Sequence, residues 1–159
     1  MKFGLFYEHQ NPKPWDEESE HRVFMESLEQ IEVADRVGVD YVWEVEHHFL
    51  EEYSHSSAPE LFLAAASQRT KRIRLGHGIN LTAPGYNHPA RVAERISMLD
   101  HLSNGRVEWG TGESATMMEM EGFNIPVDEK HAMWREGAEQ AANMMALSPY
   151  PGFDGQYFS

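Results

Sequence analysis

Cysteine is absent from the 159 residues. Disulfides, thiolate zinc sites, iron–sulfur clusters and cysteine nucleophiles are therefore excluded. Positive charge is also scarce: 13 Lys and Arg face 26 Asp and Glu, for a net charge of −13. That balance opposes the basic patch that nucleic acid requires. It opposes adhesion to anionic membranes as well, so neither nucleic acid nor membrane is expected as a partner. No apolar run approaches the roughly 18 residues of a transmembrane helix. The apolar run in residues 1–8 is too short for a secretory signal, and a cytoplasmic protein is the expectation.

What is present is an ordinary globular composition, 41% hydrophobic and 25% charged, with enough chain for one domain with a real core. A unit repeats four times. Short apolar strands are predicted at residues 2–7, 39–45, 72–79 and 106–110. Helices are predicted at 19–37, 58–70, 89–102 and 129–147. The first helix sets Val23, Phe24, Leu28, Ile31, Ala34 and Val37 on one side and stops at Gly38. Pro89 suits a first helical turn, and Ser103-Asn104-Gly105 reads as a turn. A repeat of about 35 residues is the length of one βα unit. Such alternation argues an α/β fold with a parallel sheet and helices outside it. An open doubly wound sheet and an arc of a (β/α)8 barrel both fit. A full barrel needs about 250 residues, so the chain has room for about half of one.

Polar residues gather after each strand: Glu8, His9, Gln10 and Asn11; then Glu44, Glu46, His47 and His48; then Asn80, Thr82, Tyr86, Asn87 and His88; then Gly112, Glu113, Ser114 and Thr116. In parallel α/β folds the carboxyl ends of the strands carry the active site. Glu46-His47-His48 stands out, because imidazole titrates near neutral pH and can transfer protons, stabilise anions or bind a metal. Zinc or iron with His9, His88 and Glu113 is conceivable, but no HxxxH or two-His-one-carboxylate spacing supports it, and no metal is expected. Gly110-Thr111-Gly112-Glu113-Ser114 reads as a glycine-rich turn. It lacks the Lys of a phosphate loop and the third glycine of a dinucleotide fingerprint. Glu113 would repel a phosphate, so close approach to a flat ring is the better reading. His88 reads equally as a ligand or as a helix-cap neighbour before Pro89. Met117, Met118, Met120, Met133, Met144 and Met145 read as apolar fill or a soft interface, and Met133 and Trp134 as packing.

Several segments occur in a telling order: Met1-Lys2-Phe3-Gly4-Leu5-Phe6, Trp43-Glu44-Val45-Glu46-His47-His48-Phe49, Arg72-Ile73-Arg74-Leu75-Gly76, His88-Pro89-Ala90-Arg91 and Leu99-Asp100-His101-Leu102-Ser103-Asn104-Gly105-Arg106. Together they resemble the bacterial luciferase-like, flavin-dependent monooxygenases. The tail Gly152-Phe153-Asp154-Gly155-Gln156-Tyr157-Phe158 is similar to the segment joining the two halves of that family. The resemblance implies a (β/α)8 barrel of the TIM type, of which residues 1–159 are the first four βα units, the amino-terminal half. It implies reduced FMN delivered by a separate flavin reductase, with deazaflavin F420 as the alternative. It implies O2 and a small organic substrate such as an aldehyde, alkane or terpene. His47 matches the family's active-site histidine, with Glu46 and His48 as its neighbours. Gly78, Ile79 and Asn80 match a region holding a non-prolyl cis peptide against the flavin ring. Gly112, Glu113 and Thr116 fall where other members contact the flavin, although Gly112 and Glu113 replace the cysteine and arginine of bacterial luciferase.

A half-barrel leaves strand edges and an apolar inner face without partners. A homodimer or larger homo-oligomer is therefore expected, with a non-catalytic, self-associating half-barrel as the alternative to an enzyme.

Overall fold

The computed structural model describes residues 1–159. Nine elements follow one another: β1 (Gly4–Tyr7), α1 (Ser19–Val37), β2 (Tyr41–Glu44), α2 (Pro59–Arg69), β3 (Arg74–Leu81), α3 (Pro89–Ser103), β4 (Val107–Gly112), α4 (Met117–Gly122) and α5 (Lys130–Ala146). The sheet order is β1-β2-β3-β4. β1 pairs parallel with β2, Gly4 opposite Tyr41, and β2 parallel with β3, Tyr41 opposite Arg74. The chain divides into two units, Met1–Asn80 with Leu99–Gly110, and Leu81–Met98 with Thr111–Ser159.

The first unit is built on an apolar layer between helices and sheet. Leu28, Ile31 and Ala34 of α1 meet Val42 of β2, Leu63 and Ala66 of α2, then Ile73, Leu75 and Leu99. Each fully buried aliphatic side chain contributes about 1.5–3 kcal/mol. Val37, expected on the same face, is 71% exposed, because the last turn of α1 overruns the core. Gly38 ends that helix at φ 97°, a left-handed conformation that glycine adopts without a Cβ penalty. At the amino ends of the strands, Asp35 accepts the backbone N–H groups of Arg72 at 2.8 Å and Ile73 at 2.7 Å. Arg106 donates to Thr70 Oγ1 and the Ile73 carbonyl, both at 2.9 Å, and to the Ser67 carbonyl at 2.8 Å. The Ser-Asn-Gly-Arg segment is thus a clamp that ends one βα unit and starts the next.

Three boundaries differ from expectation in ways that matter for function. β2 stops at Glu44, so Val45 to His48 lie beyond the strand and strict alternation does not govern the two histidines. β4 runs to Gly112, so Gly110, Thr111 and Gly112 are strand and the predicted turn begins later. Gly110 is there because a Cβ would lie 2.3 Å from the His77 carbonyl oxygen; the glycine serves close strand approach. Finally, α4 occupies residues for which no strand or helix is predicted. Its helix formers Met and Glu follow Thr116, whose hydroxyl donates to the Glu119 carboxylate, a variant of the Thr-x-x-Glu start signal.

In the second unit, Ala83, Met120 and Ile125 form a small core with Tyr86, Phe123 and Met133 packed on it. Met120 is buried fill, whereas Met117 and Met118 are over half exposed, as the soft-interface alternative has it. Gly137 lets α5 approach Thr82, whose carbonyl oxygen would lie 1.9 Å from a Cβ. Trp134 does more than pack, donating its indole N–H to Thr111 Oγ1 at 2.6 Å. The tail folds onto α5, with the Gln156 and Tyr157 N–H groups bonded to Glu136 at 3.0 and 2.9 Å.

Candidate active site

The carboxyl ends of β1, β2 and β3 in the first unit carry a layer of buried polar groups above the apolar core. Glu44, the last residue of β2, is fully buried, and Glu46 is 5% exposed. Asn80 donates its amide to Glu46 Oε2 at 2.6 Å, and Trp109 Nε1 donates to Asn80 Oδ1 at 3.4 Å. The other Glu46 oxygen lies 3.3 Å from His48 Nε2. Of the expected site residues, Glu46, His48 and Asn80 are therefore one bonded group. Buried polar groups of this kind persist when they are hydrogen-bonded to one another.

His47 is held differently. Its backbone N–H donates to the Ser56 carbonyl at 2.8 Å. Its side chain stays 24% exposed, with Nε2 3.6 Å from Glu8 Oε2. The Tyr53 ring meets the imidazole edge-on at 5.8 Å between centroids. A cavity of about 340 Å³ opens here, lined by His47, Phe49, Leu50, Ser54 and His55 among others. A partly exposed imidazole facing a cavity is suited to take up and release protons.

Behind these groups, His9 Nε2 lies 2.7 Å from Glu44 Oε1, both side chains fully buried. Ser56 donates its hydroxyl to Glu44 and lies 2.6 Å from the Val45 carbonyl. Burial pushes Glu44 above the usual carboxylate range, opposed by His9 and Ser56. His77, opposite Glu44 in the β2–β3 register, is held down to about 4, first by burial. It is neutral at physiological pH.

Gly78 and Ile79 are joined by a cis peptide bond, inside the segment where the resemblance implied one. A flat ring needs backbone free of side-chain bulk and a proton-carrying group. At Gly78 a Cβ would lie 3.1 Å from the Phe6 ring and 3.3 Å from Trp43 Cβ, so the glycine admits those side chains; the cis bond and the partly exposed His47 are the features of this unit that fit a flat ring and its proton. In the second unit, Gly112 ends β4 and Thr116 precedes α4. Glu113 lies 3.9 Å from Lys130 Nζ and 3.5 Å from His131 Nδ1. His88 Nδ1 accepts the Ala90 N–H at 3.2 Å, which is the helix-cap reading. Glu8, Tyr53 and Ser56 were not assigned from sequence. Glu8 alone carried a signal, standing directly after a strand among the polar groups.

The sequence model of the luciferase-like monooxygenases matches residues 1–159. Limonene 1,2-monooxygenase of Rhodococcus erythropolis is 40% identical over 136 residues, 84% of this chain and 33% of the relative. The crystal structure of monooxygenase RslO1 from Streptomyces bottropensis superposes with a TM-score of 0.89 at 36% identity, covering 99% of this chain and 46% of that one. The oxygenating constituent of 3,6-diketocamphane monooxygenase from Pseudomonas putida, in complex with FMN, gives 0.87 at 26% identity, covering 99% and 42%. The chain thus spans between a third and just under half of the length of these proteins.

Proposed function

This chain belongs to the luciferase-like monooxygenase family, and from that premise we propose that it contributes the histidine-bearing half of a flavin-dependent oxygenase. Its residues 1–159 are the first four βα units of a (β/α)8 barrel. The carrying observation is His47, a partly exposed imidazole beside a cavity, held by its backbone to Ser56 and flanked by Glu8.

Reduced FMN, when bound, would supply the electrons that activate O2. The FMN complex of a relative 26% identical supports FMN, and an F420-dependent glucose-6-phosphate dehydrogenase 32% identical keeps F420 as the alternative. His47 takes up and releases the proton that accompanies oxygen transfer to a small organic substrate. Glu46 and His48 brace the segment that carries it, bonded to each other and, through Glu46, to Asn80. Gly78 and Ile79 form the wall for the ring. In the second unit, Gly112, Glu113 and Thr116 are the residues we propose for cofactor contact. That a relative is described as an oxygenating constituent supports a separate flavin reductase as partner. No helix is long and apolar enough to cross a membrane, in keeping with a cytoplasmic location.

The outer edges of β1 and β4 end the sheet, and Phe3 and Phe6 are 63% and 59% exposed. Exposed strand edges and apolar side chains favour pairing with another chain, so the 159-residue chain is proposed to self-associate. Anaerobic sedimentation with reduced FMN tests both parts. The expected result is a dimer or larger species with flavin absorbance in its boundary and, in a separate assay with O2 and substrate admitted, turnover lowered about 100-fold or more by His47→Ala. An 18.3 kDa monomer without flavin overturns the reading. F420 travelling with the protein in place of FMN overturns the cofactor.

A further inference from the structure

Glu8 follows β1 directly, and its carboxylate is turned toward His47. Oε2 lies 3.6 Å from His47 Nε2, out of contact with solvent and with no hydrogen bond of its own. Oε1 accepts the Tyr53 hydroxyl at 3.4 Å. A dry, unsatisfied polar atom costs about 1–3 kcal/mol, so the position calls for a donor. The nearby imidazole becomes one by a shift of a few tenths of an ångström, and catalytic hydrogen bonds are commonly long before a ligand binds. The backbone keeps both residues in register: the His55 N–H bonds to the His9 carbonyl at 3.1 Å and the Asn11 N–H to the Glu52 carbonyl at 3.0 Å. These bonds tie the end of β1 to the loop that carries Tyr53.

We propose that Glu8 is a positioning residue for His47, placing the proton on Nε2, orienting the ring and favouring its charged form, with Tyr53 holding the far carboxylate oxygen. The inference rests on the reading of His47 as the proton-handling group. The other ionisable groups facing His47 in its unit are Glu46 and His48 on its own segment, Glu51, Tyr53 and His55 on the following loop, and Glu20 from α1. Glu46 is bonded to Asn80 and His48. Glu20 is paired with His55 at 2.8 Å, and Glu51 with Lys13 at 2.7 Å. Glu8 directs a carboxylate oxygen at a His47 ring nitrogen, Oε2 lying 3.6 Å from Nε2.

The test is an NMR titration of the histidine rings in the 159-residue chain, without flavin. Glu8→Gln is expected to lower the His47 midpoint by about 1 on the pH scale. Glu8→Asp is expected to retain at least about half of that difference, and the His55 midpoint to stay put. Above its midpoint the unaltered protein should show His47 with the proton on Nε2, a result that stands even if Glu8→Gln does not fold. An unchanged His47 midpoint in Glu8→Gln, or a neutral ring protonated on Nδ1, overturns the proposal. Because no cofactor is present, failure to bind flavin would sink the functional reading and leave this pair standing.

Discussion

Glu8 and His9 are neighbours in sequence, and each pairs with a residue of the opposite kind from the β2 segment. His9 meets Glu44 at 2.7 Å with both side chains fully buried. Glu8 meets His47 at 3.6 Å with 20% and 24% exposure. His9 sits at φ 50°, sparsely populated for a residue with a side chain. It is wedged against Phe24 and Phe62 with ring centroids 5.0 and 4.5 Å away, and Ser27 lies 3.3 Å from its Nδ1. The left-handed turn is what sends consecutive side chains to different places. One pair is locked behind the sheet and braces β1, β2 and α1. The other stands at a cavity, where a proton can come and go. On the proposed function, the same two residue types serve as brace or as proton-handling pair according to burial, which sets both the cost of charge and the access of protons.

The largest effect expected from breaking this contrast lies in the buried pair. Glu44→Ala should cost about 3–5 kcal/mol in urea denaturation, because it strands His9 in the interior and removes the acceptor of Ser56. A loss under about 1 kcal/mol would mean that the pair braces nothing.

His77 sharpens the comparison through pH. Burial lowers its folded-state value from 6.5 to about 4. Between those values the unfolded chain binds a proton that the folded chain refuses. This contribution is fully present above about pH 6.5 and is lost as pH falls toward 4, by about 3 kcal/mol in all. Glu44, raised above its unfolded value, acts with the opposite sign and loses stability as pH rises. The difference between the unaltered protein and His77→Asn isolates the histidine. That difference should shrink as pH drops from 6.5 to 4. A pH-independent difference would show that His77 is charged or solvated in the fold.

The repeat of strand and helix was legible because hydrophobic periodicity and punctuation by Gly38, Pro89 and Ser103-Asn104-Gly105 report local preferences. The repeat fitted a doubly wound sheet or a barrel arc alike, and the observed order β1-β2-β3-β4 is that of the arc. The gathering of polar residues at the carboxyl ends was legible for Glu46, His47, His48 and Asn80. What the sequence hid depended on tertiary contact. Gly110 reads as a turn residue until the His77 carbonyl is seen against it. Glu8 and His9 look alike in a polar run, and only the backbone at His9 separates the buried pair from the one beside the cavity. Ser56 lies 12 residues from Glu44 in a loop with no periodic signal. The short helix α4 was missed because a single turn and a half gives too few residues for periodicity to register.

Double-mutant cycles on the two neighbouring pairs, read by urea denaturation, test the division of labour most directly. His9 with Glu44 should couple by about 2 kcal/mol or more, and Glu8 with His47 by about 1 kcal/mol or less. Equal couplings, or a stronger one in the exposed pair, would contradict the account, since burial would then no longer distinguish the pair that holds the fold from the pair that serves the site.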